Sequence, residues 1–314
     1  MSFSRSEAIS TAIRLMVGST AAAATITQMR SRNYVPEPPV VMPPARTLAV
    51  PGRGELFFRD SGGDGPPVML LHGWTASADL NWWGAYGDLI ETGYRMLAID
   101  HRGHGRGLRA KAPFRLVDCA ADAAALLRTL ELAPAIVVGY SMGGTIAQLM
   151  ARDHRDAVSG MVLSGTSQHF SDRETAKLWK WMGFVELSLS LAPRATWTAL
   201  FRRAGLRPTA ATAWFQAELT RNSARDLAEA GRELGRFDSR PWLGSVQVPA
   251  ASVITARDTA VSPRKQRELA IAAGATVFEV PLDHLELTNR HSQYNPALLQ
   301  ALEAVRAAER VKAA

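Results

Sequence analysis

The chain has 314 residues, 47% of them hydrophobic and 21% charged, enough for one sizeable domain with a buried core and room for an insertion. Its formal charge of +7 comes from Lys+Arg 36 against Asp+Glu 29, with the basic residues scattered, which speaks against a nucleic-acid partner and leaves anionic lipid, acidic substrates or plain solubility. The single cysteine, Cys119, excludes an internal disulfide and gives no sign of an oxidising compartment, so the chain reads as cytoplasmic, free or membrane-associated, with export the alternative.

Residues 1–30 stand apart. Over residues 8–29 the chain is rich in Ala, Ser and Thr, with Ile9, Ile13, Met16, Val17 and Ala24 at helical spacing. Arg14 interrupts this run, which falls short of the roughly 18 uncharged apolar residues of a spanning helix. Its apolar centre at residues 15–17 is also too short for a signal peptide. With Arg5, Arg14, Arg30 and Arg32 nearby, residues 1–30 are a candidate peripheral membrane contact. The alternative is a helix docked on the main domain or a segment with no fixed fold. Pro36, Pro38, Pro39, Pro43 and Pro44 then make a stiff linker, so residues 1–45 read as helix plus linker and 46–314 as the main domain.

Residues 54–61, with Leu56 and Phe58 on one face, form an arm of an early hairpin. The cluster Gly62-Gly63-Asp64-Gly65-Pro66-Pro67 is a turn. The apolar run 68–71 is a buried strand, followed by His72-Gly73-Trp74. A helix over 80–92 leads to a strand over 96–100, and an amphipathic helix over 118–132 leads to a third strand over 135–138. Directly after it comes Gly139-Tyr140-Ser141-Met142-Gly143-Gly144, then a run of good helix formers over 145–152. A serine between strand and helix in a G-x-S-x-G turn is thrust out of the sheet, and glycines flank it because a Cβ at so tight a turn would collide with its neighbours. The new helix also aims free N–H groups at any negative charge formed beside Ser141.

After a strand over 161–163 the alternation stops. Residues 167–244 carry no strand signal, and helix starts are legible at Ser171 with Glu174, at Thr209 and at Ser223. This helical insertion is unusually aromatic. Trp179, Trp181 and Trp214, with Tyr140 beneath them, are candidates for an apolar pocket over Ser141. Strands over 251–255 and 276–280 flank a helix over 264–273, and a last helix runs over 296–310. The pattern predicts an α/β fold: a doubly wound, mostly parallel sheet with a helical cap.

A serine hydroxyl is a weak nucleophile, so it needs a base and a carboxylate to orient that base. Of seven histidines, His72, His101 and His104 sit in glycine-rich loops where shaping the chain is their expected role. No cluster of ligands follows to make His101 and His104 a metal site. His154 and His169 are assigned to the surface. His284 follows the last strand at the sheet's carboxyl edge, where Ser141 also lies, with His291 a weaker competitor. Asp258 follows the 251–255 strand at the same edge. Asp283 adjoins His284 and points away from it. For the oxyanion, the N–H groups of Met142 and Trp74 are the candidate donors.

Leu71-His72-Gly73-Trp74, Asp100-His101-Arg102-Gly103-His104-Gly105, the motif around Ser141, Thr255-Ala256-Arg257-Asp258 and His284 together resemble an α/β-hydrolase fold protein over residues 46–311. The resemblance implies esterases, lipases, C–C bond hydrolases, acyltransferases and perhydrolases, and makes dehalogenases and epoxide hydrolases unexpected, since those use an aspartate where Ser141 stands. Asp283 occupies a position where the family often has glycine. The resulting expectation is a serine hydrolase of lipophilic carboxylic esters that needs no metal or organic cofactor. A C–C hydrolase, acyltransferase or perhydrolase is the alternative chemistry, and a non-catalytic hydrolase-like binding module the alternative class.

Overall fold

The structure is a computed structural model and describes residues 34–172, 179–203 and 205–313. The expected N-terminal helix, and Glu174, the partner of Ser171 in the expected helix cap, lie outside the described residues. The early hairpin forms from β1 (Ala45–Val50) and β2 (Gly54–Asp60), which pair antiparallel with Leu48 opposite Leu56. Next come β3 (Pro67–Leu71), two short helices, α1 (Ala78–Trp82) and α2 (Tyr86–Glu91), and β4 (Arg95–Ile99). The single helix expected over 80–92 is thus broken. The reason is Gly84, where a Cβ would run into the ring of His291, so the chain turns there to let the last helix in.

α3 (Leu116–Thr129), β5 (Ala135–Tyr140), α4 (Met142–Asp153) and β6 (Val158–Ser164) follow. The cap contributes α5 (Met182–Leu191), α6 (Pro193–Arg203), α7 (Ala210–Thr220) and α8 (Ala224–Arg236). Thr209 and Ser223 cap α7 and α8 through their hydroxyls, as their positions predict. The domain closes with β7 (Ala250–Thr255), α9 (Pro263–Ala272), β8 (Thr276–Val280) and α10 (His291–Ala313). α10 begins well ahead of the expected residue 296. Pro296 would favour a start there, but Tyr294 shares a hydrogen bond with the Ser164 hydroxyl and Asn295 donates to the carbonyl of Gly84, fixing the preceding turn.

Eight strands make one sheet in the order β1-β2-β4-β3-β5-β6-β7-β8, parallel from β4 through β8. Alternate residues of each central strand feed opposite layers. Met69, Leu71 and Val137 join the core under α3 and α4, while Val68, Leu70, Ile136 and Val138 join the core under α1, α2 and α10. The chain leaves β3 for β4 on one side and returns to β5 on the other. The carboxyl ends of β3 and β5 therefore flank the switch point, where an open α/β sheet leaves a crevice. The cap holds its own small core of Met182, Val185, Leu189, Trp197, Leu219 and Leu227, against which Trp74 and Leu80 of the main domain pack.

Candidate active site

Ser141 follows the last residue of β5 with φ 53° and ψ −115°, a region that non-glycine residues avoid at a cost of about 1–3 kcal/mol. Two bonds hold it there: its N–H donates to the carbonyl of Ser164 at 3.0 Å, and the Thr166 hydroxyl donates to its carbonyl at 2.7 Å. A Cβ at Gly139 would strike the Gly143 carbonyl, and one at Gly143 would strike the Leu71 carbonyl. The turn is thus closed to any other residue at both positions, and the half-buried Ser141 hydroxyl stands clear of the sheet.

His284 Nε2 lies 3.1 Å from Ser141 Oγ, and His284 Nδ1 lies 2.7 Å from Asp258 Oδ2. Every acceptor position of Asp258 is used. Oδ2 also takes the Thr255 hydroxyl at 2.7 Å and the Gln266 amide at 3.1 Å, and Oδ1 takes the N–H groups of Ala260 and Val261 at 2.9 and 2.7 Å. Burial works to raise the Asp258 carboxyl, but His284 and these donors outweigh it and hold the group below the usual carboxylate range. Asp283, set aside on the sequence, indeed turns away and accepts from the Thr259 hydroxyl. His291 packs edge-on against Trp83, and its Nε2 makes no hydrogen bond among the described residues.

The loop after β3 approaches the serine closely. A Cβ on Gly73 would lie 3.4 Å from that of Ser141 and 2.9 Å from the Tyr140 ring. Asn81 Oδ1 accepts the Gly73 N–H at 2.9 Å, and the Gly73 carbonyl lies 2.8 Å from His72 Nδ1. Because His72 Nε2 accepts the His101 N–H at 3.0 Å, the proton of His72 sits on Nδ1 and donates to Gly73. That carbonyl belongs to the peptide whose N–H is that of Trp74. Both Trp74 and Met142, the first residue of α4, keep their N–H groups without partners among the described residues.

The aromatic candidates separate. The Tyr140 hydroxyl donates to the carbonyl of His284 at 2.8 Å, so this side chain braces the histidine loop and does not line a pocket. Trp179 does face the loop: its ring meets that of Trp74 edge-on at 5.7 Å, and its indole donates to the Phe170 carbonyl at 2.8 Å. Trp214 is buried beside Phe215 inside the cap. Trp181 is 50% exposed on the outer cap and has no ring contact with Trp74 or Tyr140, so the aromatic content of the insertion does not by itself place a ring over Ser141. Asn81 and Gln266 carry no signal in the sequence; nothing local marks an amide as the partner of a backbone N–H several residues away that the fold brings against it.

Around this loop His72, His101 and His104 form a buried stack, with ring centroids 4.2 and 5.4 Å from His72. Burial, then their mutual proximity, pushes His72 well below the usual imidazole range and His101 to about 3; burial pushes His104 to about 4. Among the described residues no group of three His, Cys, Asp or Glu is placed to hold a metal ion.

A family model described as alpha/beta hydrolase fold matches residues 66–281. The chain belongs to the alpha/beta hydrolase family. Among its relatives, a non-heme haloperoxidase of Rhodococcus erythropolis is 39% identical over 112 residues, 35% of this chain and 40% of that one. This chain thus matches only about 40% of the length of the haloperoxidases it resembles. A pimeloyl-[acyl-carrier protein] methyl ester esterase of Chromobacterium violaceum is 29% identical over 266 residues, 79% of this chain and 98% of that one. The esterase EaEST of Exiguobacterium antarcticum superposes with a TM-score of 0.71 at 19% identity, over 83% of this chain and all of that one, which speaks to the fold alone.

Proposed function

We propose that this alpha/beta hydrolase cleaves a lipophilic carboxylic ester through an acyl-enzyme on Ser141. The observation that carries the reading is the continuous chain of contacts from Ser141 Oγ to His284, at 3.1 Å, and from His284 to Asp258, at 2.7 Å. Ser141 Oγ bonds to the ester carbonyl carbon while its proton passes to His284 Nε2. The carbonyl oxygen becomes an oxyanion held by the N–H groups of Met142 and Trp74. Asp258, kept ionised, stabilises the imidazolium and fixes its orientation. As the tetrahedral species collapses, the C–O bond to the alcohol breaks and His284 protonates the leaving oxygen. Water then attacks the acyl-enzyme, giving its proton to His284, and the acid departs with Ser141 restored. The Trp74–Trp179 pair beside the oxyanion donors supports an apolar acyl or alcohol group, and the esterase relative that aligns over nearly its whole length supports an ester.

The relative named a haloperoxidase favours a second reading, in which hydrogen peroxide replaces water as the acyl acceptor on the same serine. Two measurements test the first. A fluorophosphonate probe is expected to label wild type and not Ser141→Ala. Short and long p-nitrophenyl esters are expected to be hydrolysed by wild type only, with roughly a 10⁴-fold or greater loss in the variant. Full turnover by folded Ser141→Ala would end the proposal.

A further inference from the structure

α5 is apolar nearly all round, a pattern normally reserved for a helix covered on every side. Met182, Val185 and Leu189 face the cap core, yet on the opposite side Leu187 and Leu191 are 54% and 77% exposed, with the half-exposed Trp181 at the helix's start. An isolated exposed leucine needs no explanation; a pair one turn apart on the outer face of so apolar a helix does.

Positive charge is concentrated in two stretches of the sequence, and one of them carries this face. Residues 179–209 hold five cations against one carboxylate, a net +4, and residues 1–33 hold four against one, a net +3. Together these account for the whole formal charge of +7, so the rest of the chain is neutral. Lys180 precedes Trp181 at one end of the apolar face and Arg194 follows Leu191 at the other, both exposed. Exposed Arg203 and Arg207 follow on α6 and the loop after it. None of these four forms an ion pair among the described residues, whereas Glu186, the sole acid, is already 3.5 Å from Arg232. Tyr34, the first described residue, lines a cavity on this cap with Phe201, Leu206 and Arg207.

We propose that the outer face of α5, with Leu187, Leu191 and the flanking cations Lys180, Arg194, Arg203 and Arg207, docks on an anionic membrane surface. Leucines flanked by unpaired cations match a lipid interface in both respects: apolar side chains reach the acyl boundary while cations meet the headgroup charge. The docking does not depend on the chemistry at Ser141, and the Ser141→Ala protein is expected to bind as wild type does.

The test is co-sedimentation of the full chain with vesicles of phosphatidylcholine alone or with about 30% phosphatidylglycerol. Wild type is expected to bind the anionic vesicles, and to release as salt rises to about 0.5 M, where the charges are screened. Leu187→Ser/Leu191→Ser and Arg194→Glu/Arg203→Glu are each expected to weaken binding about tenfold or more. Both variants are expected to hydrolyse a short soluble ester at the wild-type rate, which shows that they are folded. No vesicle binding by wild type would overturn the proposal, as would equal binding by all three proteins, which would put the contact in residues 1–33. A wild-type dimer dissolved by the leucine changes, with no vesicle binding, would assign the face to a second copy instead.

Discussion

Single residues decide how well the oxyanion loop is held, and Asn81 is the clearest case. It is a positioning residue: its Oδ1 fixes the Gly73 N–H, while His72 fixes the carbonyl of the next peptide, whose N–H, that of Trp74, is the oxyanion donor in the proposed mechanism. Asn81→Ala leaves the buried Gly73 N–H unsatisfied, a loss of about 1–3 kcal/mol in stability. If the Trp74 donor drifts with its loop, kcat is expected to fall between tenfold and the roughly 10²–10³-fold of a lost oxyanion donor, with KM little changed. Steady-state kinetics check this, and a change confined to KM would mean that Asn81 shapes binding and not the oxyanion loop. The same scale shows what was legible beforehand. Ser141 was readable because its turn has a steric signature in adjacent glycines, and Asp258 and His284 because both follow strands at one sheet edge. Asn81 and Gln266 work through contacts between elements, and a lone amide carries no pattern.

At the scale of elements, the cap is latched through the α7–α8 turn. Glu218 is buried and takes both guanidinium nitrogens of Arg106, at 3.0 and 2.7 Å, with the Ser77 hydroxyl at 3.0 Å. Asn222 bridges the Thr75 carbonyl and the Gly105 N–H, and the Trp74 indole donates to the Leu227 carbonyl at 2.8 Å. The loops after β3 and β4 therefore carry both the proposed oxyanion donor and the cap's anchor. Glu218→Ala strands Arg106 beside Asp79, and because that guanidinium is partly exposed the cost is expected near the low end of a broken buried pair, about 3 kcal/mol. Glu268→Ala, which breaks the exposed pair with Arg264 on α9, is expected to cost less than about 1 kcal/mol. Urea unfolding of both variants measures the contrast, and equal midpoints would mean that the cap is not tied down at Glu218. Helix caps such as Thr209 and Ser223 were readable because they act within one turn. The break at Gly84 and the early start of α10 were not, because each answers to the other across the fold.

The whole molecule carries its three neutral histidines at the heart of the switch point, and that sets its response to acid. Above about pH 6.5 His72, His101 and His104 are uncharged whether the chain is folded or not, so they contribute nothing to the pH slope. Below it the unfolded chain takes up protons, while folded His104 waits until about pH 4 and folded His101 until about pH 3. The unfolded state then binds more protons, and stability falls as pH falls, by about 1.4 kcal/mol per unit for each histidine. Asp100 works in the opposite direction. Burial pushes its carboxyl up to about 7, so between about pH 4 and 7 the folded chain keeps a proton that the unfolded one releases, offsetting one histidine. Two remain, so the switch-point groups contribute a loss of about 2.7 kcal/mol per pH unit between roughly pH 6 and 4, and His154, His169 and His291, also lowered by burial, add to it. A domain of ordinary stability, about 5–15 kcal/mol, loses much of it within that window. The urea midpoint is expected to hold level from pH 8 to 7 and to drop steeply from pH 6 to 5. His101→Leu is expected to make that slope shallower by about 1.4 kcal/mol per pH unit, whatever it does to the midpoint at pH 8. A midpoint that stays level down to pH 5 would mean that the buried imidazoles take up protons in the folded chain, and that the His72–His101–His104 stack opens to water before the fold is lost.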